Sequence, residues 1–258
     1  MDINVTIIQS SLAWEDKQKN LSVFSALIGS VKENTDLIVL PEMFTTGFSM
    51  RTSDFAEPMN GESVSWMKEQ AEGKNCVITG SIIIKENDHF YNRLVWASPD
   101  GSVRYYDKRH LFSIANENKH YSKGYEKLIA DLNGWKAFPM ICYDLRFPVW
   151  SRYRNDYDIL IYVANWPEVR RNAWKILLQA RAVENLAYVI GVNRIGSDKS
   201  GQKFAGDSAV FSPLGVQILK TQEYSESVET ITLSEIELNQ VRKKFPFYSD
   251  ADKFEIIP

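Results

Sequence analysis

The sequence predicts an α/β fold, and three observations carry that assignment. Continuously apolar runs, Asp36-Leu-Ile-Val-Leu-Pro41-Glu42 and Asp158-Ile-Leu-Ile-Tyr-Val-Ala164, read as strands covered on both faces. Stretches with helical spacing, near 15–32 and 171–186, alternate with such runs. Two turns, Ser98-Pro-Asp-Gly101 and Ser212-Pro-Leu-Gly215, each join short strand-like segments, so antiparallel pairs mix with the βα units. With 258 residues, 44% of them hydrophobic, the chain can bury a full core, and no linker-like composition divides it. It is expected to be a single domain over 1–258.

Taken in order, Ile3, Val5 and Ile7 alternate with Asn4 and Thr6, the period of a strand with one face buried. Leu21, Phe24, Leu27, Ile28 and Val31 then share one side of a helix. The apolar run 36–40 is stopped by Pro41, which cannot donate to a ladder, so Glu42 stands at a strand end. A helix over about 62–73 precedes a strand over 76–84, and segments 91–97 and 103–106 pair across the first proline turn. Lys108 follows the latter directly. The polar stretch 116–124 is a loop. Phe138-Pro-Met-Ile-Cys142 is a short buried strand ending at a cysteine, closed by Tyr-Asp-Leu-Arg146-Phe-Pro148. The run 158–164 ends in Asn165-Trp166-Pro167, and a helix places Trp174, Leu177, Leu178 and Ala182 on one side before a strand over 188–193. Segments 209–211 and 216–219 straddle the second turn. Ser234 with Glu237 three residues later suits a capping box for a last helix through Val241, and the aromatic segment 245–258 is expected to pack on the domain.

A net charge of -3 offers no basic field for nucleic acid or anionic membrane. No apolar stretch approaches the roughly 20 residues that cross a bilayer. Two cysteines in this length are too few for a disulfide framework, and the start lacks the basic and apolar regions of a secretory signal, so the cytoplasm is the expected location. Three scattered histidines and two cysteines show no metal-ligand spacing, and there is no phosphate-binding glycine motif, so neither a metal nor another cofactor is expected.

Three titratable residues, Glu42, Lys108 and Cys142, each stand at the carboxyl end of an apolar strand, where open α/β sheets place their ligands. Should those strands be neighbours, the side chains converge. A thiol of ordinary pKa, about 8.5, is only a few per cent thiolate at neutral pH, so a nucleophilic cysteine needs a base or a cation beside it, and Glu42 and Lys108 offer one each. Free cysteine is also among the most buried residue types, which is the reading for Cys76 within its strand and an alternative for Cys142. His110 is a candidate partner for Cys–His catalysis, although a histidine in such a motif also serves as a hydrogen-bonding structural residue.

Leu40-Pro-Glu-Met-Phe44, Tyr106-Asp-Lys-Arg-His-Leu111 and Ile141-Cys-Tyr-Asp-Leu-Arg-Phe-Pro148, in that order, resemble the three signature segments of the carbon–nitrogen hydrolases of the nitrilase superfamily. The resemblance covers nearly the whole chain, including Arg181-Ala-Val-Glu-Asn185, and thins out after about Val241. It implies a four-layer α-β-β-α sandwich, usually a homodimer, with a Glu42–Lys108–Cys142 triad, Glu117 as a second glutamate, and the Tyr143 backbone N–H as an oxyanion donor. Within that family the loop around Glu117 and the Asn165-Trp166-Pro167 segment resemble the ω-amidases, which act on small 2-oxo dicarboxylate monoamides. For the distal carboxylate of such a substrate Arg146, Arg170 and Arg171 are the candidate cations, with a structural or surface charge as the alternative for each, and Trp166 is a candidate pocket wall with core packing as its alternative. An N-carbamoyl hydrolase or a nitrilase using the same triad, and a non-catalytic binding module keeping the fold, are the rival expectations.

Overall fold

The computed structural model of the protein describes residues 1–256. The first half runs β1 (Ile3–Gln9), α1 (Lys17–Ser30), β2 (Leu37–Val39), the short α2 (Thr52–Phe55), α3 (Glu62–Lys74), β3 (Val77–Glu86), β4 (His89–Ala97) and β5 (Val103–Asp107). The second continues through β6 (Ala130–Leu132), β7 (Trp135–Ile141), the short α4 (Pro148–Ser151), β8 (Ile159–Ala164), α5 (Arg171–Asn185), β9 (Tyr188–Asn193), β10 (Ile195–Ser197), β11 (Lys203–Ala205), β12 (Ala209–Phe211) and β13 (Gln217–Lys220). β14 (Ser227–Leu233) and α6 (Glu235–Lys244) follow.

Two six-stranded mixed sheets result, in the orders β14-β1-β2-β3-β4-β5 and β13-β12-β9-β8-β7-β6, with β10 and β11 as a separate ribbon. Each sheet has a parallel centre, β1-β2-β3 in one and β7-β8-β9 in the other. This is where the apolar runs lie, because parallel strands are buried on both sides. The sheets pack face to face: Val5, Ile7 and Val39 share one core with Phe138 and Met140, and Tyr106 meets Phe138 edge-on at 6.3 Å. On the outer side of the first sheet, Phe24 and Ile28 of α1 and Val64 and Met67 of α3 cover Ile38, Ile78 and Val95. On the outer side of the second, Trp174 and Leu178 of α5 press on β9 where Gly191 leaves no side chain in their way. The order of layers is therefore α-β-β-α. Each fully buried large apolar side chain contributes about 1.5 to 3 kcal/mol.

Several elements differ from the sequence expectation for identifiable reasons. The run 36–42 forms only three residues of regular strand, because the chain turns at Met43, whose φ of 44° is left-handed. β1 is buried on both faces: Thr6 is fully enclosed, and its hydroxyl bonds those of Thr35 and Thr230 at 2.9 and 2.8 Å. β14, which no pattern pointed to, pairs antiparallel with β1 along its whole length and half exposes most of its residues. Ser234 does accept the Glu237 N–H, but the Glu237 carboxylate takes the Tyr188 hydroxyl at 2.8 Å, so half of the capping box is replaced by a tertiary bond. Beyond α6, Tyr248 stands edge-on to Tyr153 and the Arg154 guanidinium lies over Phe254. Residues 257–258 of the segment 245–258 lie outside the described residues.

Candidate active site

The two sheets deliver three strand ends to one place, β2 and β7 from their parallel centres and β5 from the antiparallel edge of the first sheet, so the three strands converge without being neighbours. Glu42 sits just past β2, Lys108 just past β5 and Cys142 just past β7, and all three line one cleft of about 310 Å³. Glu42 and Lys108 are fully buried, and the Lys108 ammonium donates to Glu42 Oε1 at 2.8 Å. The same ammonium donates to Glu117 Oε1 at 3.0 Å. Glu117, which the sequence placed in a polar loop, is fully buried in a single 3-10 turn, Glu117–Lys119. Its second oxygen accepts the Phe112 N–H at 2.6 Å, which ties both ends of the loop together.

Local geometry explains why these side chains stay in place. After Glu42 the left-handed Met43 is fixed by its N–H to Ser81 Oγ, 2.9 Å, and Asn165 binds Glu42 twice, backbone N–H to Oε2 at 2.7 Å and side-chain amide to the carbonyl at 2.6 Å. Cys142 itself has a φ of 45°, at the abrupt change from β7 into the 3-10 turn Cys142–Arg146. A non-glycine residue there costs on the order of 1 to 3 kcal/mol, so it persists only where neighbours hold it. Asp144 is the anchor. Its buried carboxylate accepts the Ile141 N–H, the Tyr106 hydroxyl, and both the backbone N–H and ring nitrogen of His110. Lys108 is carried by a β5 extension, its N–H bound to the Asn92 carbonyl at 3.0 Å, and its own carbonyl accepts the Gly124 N–H. A Cβ at Gly124 would lie 2.2 Å from the Asp107 carbonyl, so the Glu117 loop closes there only with glycine.

The electrostatics follow from burial. Desolvation alone would pull the Lys108 ammonium down, but the charges of Glu117 and Glu42 outweigh it and hold it above the ordinary lysine range. Burial, with the nearby Glu42 charge, pushes the Cys142 thiol well up. The resting sulfur is thus held as a thiol. Burial raises Glu117 as well, against the lowering charge of Lys108.

Tyr143 and Arg146 line the same cleft, as do Trp166 and Arg170. The Arg146 guanidinium lies 5.0 Å over the Trp166 ring, and that of Arg170 lies 5.0 Å over Phe112. Among the described residues neither guanidinium has an acidic partner. Trp166 serves wall and core together: its ring packs 5.4 Å from Trp174 and its indole N–H donates to the Arg170 carbonyl. Arg171 is elsewhere, bound to Asp207 and Glu223. His110 is stacked on Phe147 at 3.9 Å and tied to Asp144, a structural position outside the cleft lining. Cys76 is enclosed, and burial pushes its thiol up to about 12. Two buried asparagines not assigned to the site from the sequence contact the carboxylates, Asn92 through its side-chain amide and Asn165 through its backbone N–H. Asn165 follows an apolar strand as Cys142 does, and that signal was available; Asn92 lies inside β4 and offers none.

This arrangement of a carboxylate, an ammonium and a thiol can transfer a proton, attack a carbonyl-type carbon and hold the resulting oxyanion. Residues 4–243 match the carbon-nitrogen hydrolase family. The chain is 42% identical over 254 residues to the omega-amidase YafV of Escherichia coli strain K12, covering 98% of each. It is 31% identical to a 2-oxoglutaramate amidase of Bacillus subtilis strain 168, over 98% of this chain and 99% of that one. A crystal structure of a CN-hydrolase superfamily protein from Xanthomonas campestris, with an arsenic adduct in the active site, superposes with a TM-score of 0.96 at 42% identity over 99% of both chains. Taken with the two packed mixed sheets and their flanking helices, these likenesses show that the chain belongs to the carbon-nitrogen hydrolase family, enzymes of the nitrilase superfamily.

Proposed function

We propose that this protein is an ω-amidase: it releases ammonia from the terminal amide of a small 2-oxo dicarboxylate monoamide through a thioester on Cys142. One observation carries the reading, the fully buried Glu42–Lys108–Glu117 cluster placed beside a cysteine in a cleft lined by two arginines that have no acidic partner among the described residues. Because the thiol is held protonated, its proton must leave as sulfur attacks, and Glu42 receives it. The Lys108 ammonium and the Tyr143 N–H face the developing oxyanion; N–H groups that open a helical turn have no partner within it. Collapse of the tetrahedral adduct breaks the C–N bond, and Glu42 returns the proton to the departing ammonia. Water, deprotonated by Glu42, then attacks the thioester, the acid leaves, and the thiol is restored. Glu117 keeps Lys108 in place throughout.

Arg146 and Arg170 supply the cations for the distal carboxylate, each fixed on an aromatic face so that little side-chain freedom is lost on binding. The relatives named for omega-amidase and 2-oxoglutaramate amidase activity support this substrate class. The chain is further proposed to act as one domain, as a homodimer and in the cytoplasm. Exposed Ile176 and Val183 of α5 with Val216 and Ile218 near β13 support the dimer, and two free cysteines support a reducing compartment. Among the described residues no helix is long and apolar enough to cross a membrane. A panel of amides with and without a distal carboxylate, read by ammonia release, tests the proposal. Turnover confined to the carboxylate-bearing 2-oxo amides is expected, and equal rates across the panel would refute the substrate assignment.

A further inference from the structure

We infer that Asn92 is the positioning residue that lets Glu42 and Glu117 both remain carboxylates around a single ammonium, and so keeps Glu42 free to take the Cys142 proton. The inference rests on the role of Glu42 as base in the proposed mechanism. Two fully buried carboxylates share one cation, Lys108, and both present Oε1 to it. Like charges this close ordinarily resolve their repulsion by sharing a proton, which would occupy the base before the thiol could use it. The Asn92 side-chain amide lies between them. Its Nδ2 donates to Glu42 Oε1 at 2.8 Å and to Glu117 Oε1 at 3.3 Å.

The orientation of this amide is itself informative. Asn92 is fully buried in β4, and its Oδ1 has no hydrogen-bond partner among the described residues. An orphaned buried carbonyl is costly, and it is retained here because the reverse orientation would set the amide oxygen against two carboxylates. Among the described residues, every hydrogen bond at the two carboxylates is donated to them. Glu42 Oε1 takes Lys108 and Asn92, and Glu42 Oε2 takes the Asn165 N–H; Glu117 Oε1 takes Lys108 and Asn92, and Glu117 Oε2 takes the Phe112 N–H. Asn92 is the neutral donor common to both. Glu42 Oε2, with one donor, keeps an acceptor position open for the thiol. The other titratable groups facing the cluster are Cys142 and Tyr121, and the Tyr121 hydroxyl is committed to the Ser49 carbonyl at 2.5 Å.

The test uses the rate of Cys142 alkylation by iodoacetamide across pH 5 to 9, which depends on the base and not on the identity of the substrate, alongside kcat/KM for the amide. In Asn92→Ala the carboxylates take up a shared proton, and the acid limb of both profiles moves up by about one to two pH units. Activity at pH 6 therefore falls at least about tenfold while that at pH 9 changes much less. Asn92→Asp, of nearly the same shape, settles the matter should the alanine variant fail to fold. Its carboxyl can donate only when protonated, so its alkylation rate relative to wild type improves as pH is lowered. An acid limb unchanged in Asn92→Ala, or an Asn92→Asp profile parallel to wild type, would overturn the assignment. Failure of the amide panel with a shifted alkylation limb would overturn the substrate and leave the role of Asn92 standing.

Discussion

Replacing Lys108 with methionine keeps most of the side-chain volume and removes the one cation from the buried cluster. Two ion pairs of 2.8 and 3.0 Å are lost, each between groups with no solvent exposure. Leaving a buried charge without its partner costs about 3 to 5 kcal/mol, and at about 2 to 4 °C per kcal/mol for a protein of this size the melting temperature falls by about 6 to 20 °C. The sign with pH is specific. Without the ammonium, both carboxylates bind protons more tightly in the folded state than in the unfolded chain, so stability falls as pH rises above the ordinary carboxylate range. The defect is greatest near pH 8 and shrinks toward pH 5. In the wild type Lys108 is held charged past the ordinary lysine range, so its contribution is complete throughout this interval and no comparable trend arises from it. Losing an oxyanion partner also lowers kcat by about a hundredfold to a thousandfold. Calorimetry of both proteins at pH 5 and pH 8 checks this. An unchanged melting temperature at pH 8, or a defect that deepens on acidification, would refute the electrostatic reasoning.

Arg170→Met and Arg146→Met raise KM for a carboxylate-bearing amide about tenfold to a hundredfold and leave kcat/KM for an uncharged amide within a few fold, as steady-state kinetics on the pair will show. Native protein treated with iodoacetamide at pH 8 carries one label, on Cys142, because the Cys76 thiol is enclosed and pushed up to about 12; peptide mapping that found Cys76 labelled first would contradict this. Gly191→Ala places a methyl 2.4 Å from Leu178 Cδ1 and 2.9 Å from Trp174, so these buried side chains must repack against β9, lowering stability by about 1 to 3 kcal/mol in urea unfolding.

What was legible in the sequence was set by burial. The parallel central strands β7, β8 and β9 are covered on both faces, so their apolar runs stand out, and the residues that end them, Cys142, Asn165 and Asn193, fall where the sheets meet. Edge strands were harder. β14 places Glu229 and Thr230 in a half-exposed ladder against β1, a pattern no more apolar than a loop, and β6 is three residues long. The chemistry divides in the same way. Glu42, Lys108 and Cys142 could be found at strand ends, whereas the burial of Glu117 depends on a loop closing at Gly124, and Asn92 contacts the carboxylates from inside a strand. Arg146 and Arg170 reach the cleft while Arg171, one residue on, turns to Asp207; the start of α5 at Arg171 decides that, and nothing in the three side chains alone distinguishes them.

A covalent acyl-enzyme on one sulfur can be trapped by acid-quenching the protein during turnover of a 2-oxo dicarboxylate monoamide and weighing the Cys142 peptide. A mass increase equal to the acyl group is expected on Cys142 and is absent in Cys142→Ala, which also shows no ammonia release. Turnover retained by Cys142→Ala, or an adduct on another residue, would contradict it.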